Sequence, residues 1–351
     1  MTTAAIEIGG RRIGPGQPVY IAAEMSANHG QSFEHAVKIV EAAKEAGADA
    51  VKLQTYTPDT LTIRCSAPEF RIGGGTLWDG QTLYDLYATA YMPWEWHPKL
   101  KAIANGLGLD LFSTPFDASA VEFLEAMDAP VHNIASFEVV DLALIRKVAQ
   151  TGKPVIMSTG MASLAEIDEA VRAFHEAGGT QLALLKCTSA YPSPPEEMNL
   201  RTIPHLAEAF GVPAGLSDHS FGIAVPIAAV ALGACIIEKH FTLSRSEPGP
   251  DSAFSLEPQE FKAMVEAVRT VEKALGGVNY EITGKEKASR AFRRSLFVVQ
   301  DMKAGDVFTE RNVRSIRPGH GLPPKHIADV VGRKAARDIA RGAPFQWDLL
   351  A

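Results

Sequence analysis

Short apolar runs recur along this chain, and the segments between them carry apolar residues at helical spacing. Eight runs have strand length: 18–25, 48–56, 109–116, 131–136, 154–160, 181–187, 213–219 and 235–241. They are apolar on both faces, as strands of a covered parallel sheet are. Between them, 34–47 repeats apolar positions one helical turn apart and ends on Gly47. The segment 163–179 opens with a Ser163-x-x-Glu166 capping box, and 260–277 is the longest helical pattern. Eight strand–helix units predict a (β/α)8 TIM barrel. A doubly wound open sheet is the rival, but no glycine-rich dinucleotide turn follows the first strand.

Two departures from the alternation matter. Around 277–290 the pattern gives way to a polar connector, and β-prone pieces such as SLFVVQ follow. DMKAGDVFTERNV (301–313) and DIARGAPFQWDLL (338–350) form a weak repeat in which Asp is followed four positions later by Gly. The expected organisation is a barrel at 1–280, a linker at 281–290 and a small β-rich domain at 291–351. The second departure is an insertion at 57–100 that carries Trp78, Tyr84, Tyr87, Trp94 and Trp96. A connection that long after a barrel strand is usually functional.

Composition narrows the function without choosing it. Hydrophobic content of 46% and charged content of 21% are those of a globular protein, and the formal charge is −7 with no basic run. That leaves no electrostatic footprint for nucleic acid. The uncharged run GIAVPIAAVALGACII is too short to span a bilayer and contains Pro226 and Gly233, so it reads as a buried helix and strand. Cys65, Cys187 and Cys235 form no metal or disulfide pattern, and the N-terminal stretch lacks the apolar core of a signal peptide. The expectation is a cytoplasmic protein with no membrane partner.

The chemistry collects at the predicted strand ends, where barrels of this kind carry their active sites. Strand one ends at Glu24, with Ser26, Asn28 and His29 beyond, and strand two sets Lys52 and Gln54 on one face. Next come Ser113 and Thr114, then Ser136 and Glu138, then Ser158 and Thr159. Strand six ends Lys186-Cys187-Thr188-Ser189 with Tyr191 following; strand seven ends Ser217-Asp218-His219 and strand eight Glu238-Lys239-His240. Any one of these is ordinarily a turn former or a solvated group; eight polar ends together describe a site. Lys52 and Lys186 suit a phosphate or carboxylate. Neutral imidazoles of His219 and His240 suit one divalent ion with open positions. Glu24 and Glu138 suit acid–base work. Glu238 shares its strand face with His240 and is expected to orient that imidazole.

These residues sit in familiar words. IAAEMSANH, ADAVKLQTYTPDTLT, GLSDHSFG, CIIEKHF and SIRPGHGL resemble the sialic acid synthase family over nearly the whole chain. GGGTLWDGQTLYDLYATAYMPWEWH, LKCTSAYPSP and DSAFSL look most like its pseudaminic-acid branch. The resemblance implies a TIM barrel with a SAF (antifreeze-like) tail in a domain-swapped homodimer. It implies condensation of phosphoenolpyruvate with an N-acetylated sugar, 2,4-diacetamido-2,4,6-trideoxy-L-altrose in this branch, with Mn²⁺ or Mg²⁺. By motif match, His219 and His240 hold the metal. Lys52, Thr114, Ser136, Ser158 and Ser217 hold phosphoenolpyruvate, and Ser189 joins the substrate contacts. Glu24, Gln54, Glu138, Tyr191 and Asp251 handle sugar and protons, and Arg317 reaches the partner's site. Legionaminic or sialic acid synthesis on the same fold is the near alternative. A metal-dependent aldolase and a non-catalytic sugar-binding protein are the distant ones.

One departure stands out. Where the family carries lysine before Ser136, this chain has Asn133, in HNIASFE. The expectation is weaker phosphoenolpyruvate binding, with Lys186 as a possible substitute cation.

Overall fold

The computed structural model describes residues 5–247 and 249–351. The chain divides into two units, Met1–Gly276 and Gly277–Ala351. The first opens with an antiparallel hairpin, β1 (Ile6–Ile8) and β2 (Arg11–Ile13). Eight parallel strands follow: β3 (Tyr20–Glu24), β4 (Ala50–Thr55), β5 (Asp110–Pro115), β6 (His132–Ile134), β7 (Val155–Ser158), β8 (Leu182–Cys187), β9 (Ala214–Asp218) and β10 (Ile236–His240). They lie in chain order around a closed barrel, β10 pairing back onto β3 with His240 opposite Glu24. Every expected run holds one strand.

Alternation along each strand sorts the core into two. Outward residues such as Ile21, Val51, Leu111, Met157, Leu184 and Leu216 pack under the helices. Inward residues Tyr20, Ala22, Ala50, Phe112, Ile156, Ala183 and Leu185 fill the lower barrel. Ile6, Ile8 and Ile13 of the hairpin join that inner cluster and close its N-terminal end. Above this layer the inward positions turn polar. The apolar bottom stabilises the fold; the polar top gathers the buried ionisable groups.

The capping signals act where they were read. Ser163 and Glu166 form the reciprocal box that starts helix Leu164–Glu176, and Gly47 follows helix Phe33–Glu45 at φ 88°. The insertion folds into helix Pro58–Leu61 and helix Leu83–Ala90 before helix His97–Gly106 begins. No helix among the described residues is long and apolar enough to cross a membrane.

The second unit pairs β11 (Ser295–Val298) with β12 (Val313–Ile316) around Leu296, Val298, Phe308 and Phe345. Its repeat is a reciprocal lock. Asp301 Oδ1 accepts from Arg341 N at 2.8 Å, and Asp338 Oδ1 accepts from Ala304 N at 2.9 Å. Each amide precedes a repeat glycine, Gly342 or Gly305, at φ 92° and 88°.

Candidate active site

The polar inner layer centres on Lys52. Its ammonium donates to Glu238 Oε1 at 2.7 Å and lies 3.3 Å from Glu24 Oε2, with all three side chains nearly sealed from solvent. Ser217 Oγ also donates to Glu238 Oε1, at 3.0 Å. Gln54 Nε2 bridges Glu24 Oε1 and Ser26 Oγ, both at 3.0 Å. Ser26 in turn donates to Asp251. Burial pushes Glu24 up to about 7, against the pull of Lys52 and with help from Glu238. Lys52 stays charged, because its two carboxylates outweigh its own desolvation.

Two corrections follow. Glu238 was expected to orient His240; its carboxylate is instead committed to Lys52 and Ser217. Lys186 was a candidate substitute cation; it follows Leu182 and Leu184 on the outward face of β8 and donates to Cys187 O and Thr188 Oγ1. Strand alternation gives the inner position to Cys187, whose Sγ lies 3.8 Å from His219 Nδ1. Asn133 is fully employed within the barrel. Its Oδ1 accepts from Thr114 Oγ1 at 2.7 Å and Lys52 Nζ at 3.4 Å, and its Nδ2 donates to Ile156 O at 3.1 Å.

The imidazoles of His219 and His240 stand 5.2 Å apart, centroid to centroid. His219 Nδ1 faces the carbonyl of Thr188 at 3.0 Å, so in the neutral ring the proton sits there and Nε2 keeps a lone pair. His240 Nδ1 is buried without a partner. Burial first, then His219, Lys52 and Lys239, holds His240 well below its ordinary value and hence neutral. His219 is pushed the other way, above its ordinary value despite burial, by Cys187, the Thr188 carbonyl and Glu238, so a divalent ion held between the two imidazoles would have to displace its second proton. Among the described residues no cluster of three or more His, Cys, Asp or Glu side chains is arranged to hold one.

On the outer face of the same strands lies a buried ion pair. Lys239 Nζ meets Asp218 Oδ2 at 2.6 Å and also donates to Ser220 O, while Ser220 N donates to Asp218 Oδ1 at 2.9 Å. Each charged residue immediately precedes a histidine, and the two are register partners. The pair ties together the strand ends that present the imidazoles.

Ser136 and Ser189 flank Gly160, whose amide donates to Ser136 Oγ at 3.0 Å. A Cβ at Gly160 would collide with both hydroxyls, so only glycine permits this approach. Ser158 faces inward on β7 and is buried. Above the strand tips opens a chamber of about 510 Å³ that Gln54, Glu138, Tyr191, His240 and Asp251 all line. Tyr191 packs at 4.4 Å from the His219 ring and 5.8 Å from Trp78. Glu138 Oε2 is buried and unpartnered, and burial pushes that carboxyl up to about 7. Arg317 follows β12 in the second unit and is exposed. A larger groove of about 1060 Å³ at the opposite end of the barrel is lined mainly by Gly, Pro and aliphatic residues; its Glu272 is committed to Val19 N and Arg269. It has no comparable set of reactive groups.

The NeuB family model matches residues 39–280, and the SAF domain model matches 293–351. Over 324 residues the chain is 48% identical to the pseudaminic acid synthase of Campylobacter jejuni, spanning 92% of this chain and 94% of that protein. Identity to the pseudaminic acid synthase of Helicobacter pylori is 46% over 333 residues, spanning 95% and 98%. The crystal structure of N-acetylneuraminic acid (sialic acid) synthetase from Leptospira borgpetersenii, in complex with citrate, superposes with a TM-score of 0.73. That match has 32% identity over 82% of this chain and 95% of the other.

Proposed function

This chain belongs to the NeuB family, and from that premise we propose that it condenses phosphoenolpyruvate with an N-acetylated 6-deoxy hexose. The products are pseudaminic acid, a nine-carbon 2-keto-3-deoxy acid, and phosphate. The 46–48% identity to pseudaminic acid synthases supports this sugar over its legionaminic and sialic counterparts. The observation that carries the reading is the Glu24–Lys52–Glu238 cluster set beneath a chamber with His240 and Glu138 in its lining.

Lys52, Thr114, Ser136, Ser158 and Ser217 hold phosphoenolpyruvate at the strand tips, with Ser189 beside them. Gln54, Tyr191 and Asp251 hold the sugar with its aldehyde toward Glu138. Carbon C3 of phosphoenolpyruvate bonds to the aldehyde carbon, and the carboxyl of Glu138, protonated below about pH 7, gives its proton to the aldehyde oxygen. Water then adds at C2, and Glu24 takes its proton. Phosphate leaves with the bridging oxygen and takes up the remaining C2 hydroxyl proton as the C2 carbonyl forms. His219 and His240 would hold a divalent ion, Mn²⁺ or Mg²⁺, which when bound supplies Lewis-acid polarisation of the sugar carbonyl. The reading includes a homodimer in which Arg317 of one copy serves the site of the other.

The test is incubation with phosphoenolpyruvate, Mn²⁺ and a panel of N-acetylated six-carbon sugars, with product read by mass. The 2,4-diacetamido-trideoxy sugar should be converted most efficiently, with ¹⁸O from water in the product's C2 oxygen. Label in the phosphate, or no product with any sugar, would refute the proposal.

A further inference from the structure

Helix Leu83–Ala90 of the insertion has an unusual solution for its apolar stripe. Leu83, Leu86, Tyr87 and Ala90 recur at i, i+3, i+4 and i+7, the spacing that ordinarily packs a helix onto a core. None of the helix's residues is buried, and all four of these line the chamber. Two neighbouring groups able to hydrogen-bond are already engaged. Thr76 Oγ1 donates to Asp79 Oδ1 at 2.7 Å, and Trp78 Nε1 donates to Pro250 O at 3.1 Å. Leu83, Leu86 and Ala90 therefore present carbon to whatever fills the chamber, and Tyr87 adds a ring with one hydroxyl at its tip. The rest of the lining includes the polar residues Ser26, Gln54, Glu138 and Asp251.

We propose that Leu83 and Leu86 are specificity-determining residues that select a sugar ending in a methyl group over one ending in hydroxymethyl. The inference rests on the proposed reaction for the sugar's orientation: the aldehyde faces the strand tips, so the remote end meets the helix. A methyl group buried there loses nothing, whereas a hydroxyl gives up its water partners without replacement. An apolar pocket rejects an added hydroxyl by roughly 10–100-fold. Its size follows from the missing partner, not from a clash.

The probes are 6-deoxy-N-acetylmannosamine and N-acetylmannosamine, which differ only at C6. Their affinities for the Mn²⁺-loaded protein are measured by calorimetry, and kcat/KM with phosphoenolpyruvate is measured alongside. The wild type should favour the 6-deoxy sugar by roughly 10–100-fold. Leu86→Asn and, separately, Leu83→Ser should each shrink that ratio several-fold, while Leu86→Met keeps it and thermal melting confirms that each variant is folded. A wild-type binding ratio near one, or a ratio that both polar variants leave unchanged, overturns the proposal. Phosphoenolpyruvate consumption reports separately on the reaction: its absence sinks the synthase reading, while the binding ratio still decides the wall.

Discussion

The two sides of the chamber satisfy their side chains by opposite means. Beneath it, strands β3, β4, β9 and β10 bring Glu24, Lys52, Ser217 and Glu238 into one buried network whose members answer one another. In the insertion, helix Leu83–Ala90 holds an apolar stripe that lines the chamber, with Tyr87 edge-on to Tyr56. The strand network is rigid because moving any member strands a buried charge. The stripe of the helix carries no charge, so a substitution there strands none. Chemistry and selectivity are thus built on different elements of the fold.

The largest break in that contrast is Lys52→Met. It leaves Glu24 and Glu238 facing each other without a cation, and breaking a buried pair in this way costs about 3–5 kcal/mol. Turnover should fall at least ~1000-fold and melting temperature should fall with it, whereas Leu86→Asn should leave the melting temperature nearly intact and act chiefly on the sugar preference. If Lys52→Met keeps wild-type stability and activity, the network is not what supports the site.

Next in size is the outer pair. Asp218→Asn leaves Lys239 buried and unpaired, at a cost of about 3–5 kcal/mol, while Asp218→Leu with Lys239→Met should come near neutral. The informative readout is Mn²⁺ affinity by calorimetry. The double variant should fold yet bind Mn²⁺ roughly 10-fold or more weakly, because the strand ends beneath His219 and His240 lose their clamp. Unchanged affinity would make the pair a matter of folding alone.

A smaller effect concerns Glu138. The fold raises its carboxyl from an ordinary 4.5 to about 7, so the folded state binds the proton more tightly than the unfolded chain does. Its cost is absent below pH 4.5, grows between 4.5 and 7, and is complete above 7. Glu138→Gln removes that cost, so its melting temperature should gain on the wild type between pH 5 and pH 8. As the proposed acid, Glu138 should also give turnover a limb that declines above about pH 7 and flattens in the variant. A wild-type limb that persists unchanged in Glu138→Gln would assign the proton to another group.

How far the sequence could be read follows the same division. Strands were legible because each is a short apolar run bounded by turns, and the strand tips because eight polar ends coincide. The hairpin β1–β2 was missed, although Ile6-Glu7-Ile8 and Arg11-Arg12-Ile13 flank Gly9-Gly10, a turn signal with apolar alternation. Glu238 was placed on the correct face but given the wrong partner. Alternation tells which way a side chain points, whereas the Lys52 contact depends on barrel closure, which sets β10 beside β3 and so one strand away from β4. Lys186 failed for the reverse reason: parity with Leu182 and Leu184 already pointed it outward. The stripe of Leu83, Leu86, Tyr87 and Ala90 was visible as periodicity, but periodicity alone reads as core.

The finest test falls on Asn133, where the family resemblance leads one to expect a lysine. Asn133→Lys forfeits two neutral bonds, from Thr114 and to Ile156 O, worth about 1 kcal/mol each, together with the long contact from the Lys52 ammonium. It also sets a second cation near Lys52, which stands 3.4 Å from the present amide oxygen. Against this, a charge-assisted contact to phosphoenolpyruvate is worth roughly 1.5–3 kcal/mol. The gain exists only with the anion bound, and the losses weigh on the empty site. The variant should therefore melt lower in the absence of phosphoenolpyruvate yet show an apparent KM for it reduced a few-fold, with the Leu86-dependent sugar preference unmoved. An unchanged or raised KM would mean that position 133 gives no charge-assisted contact to phosphoenolpyruvate.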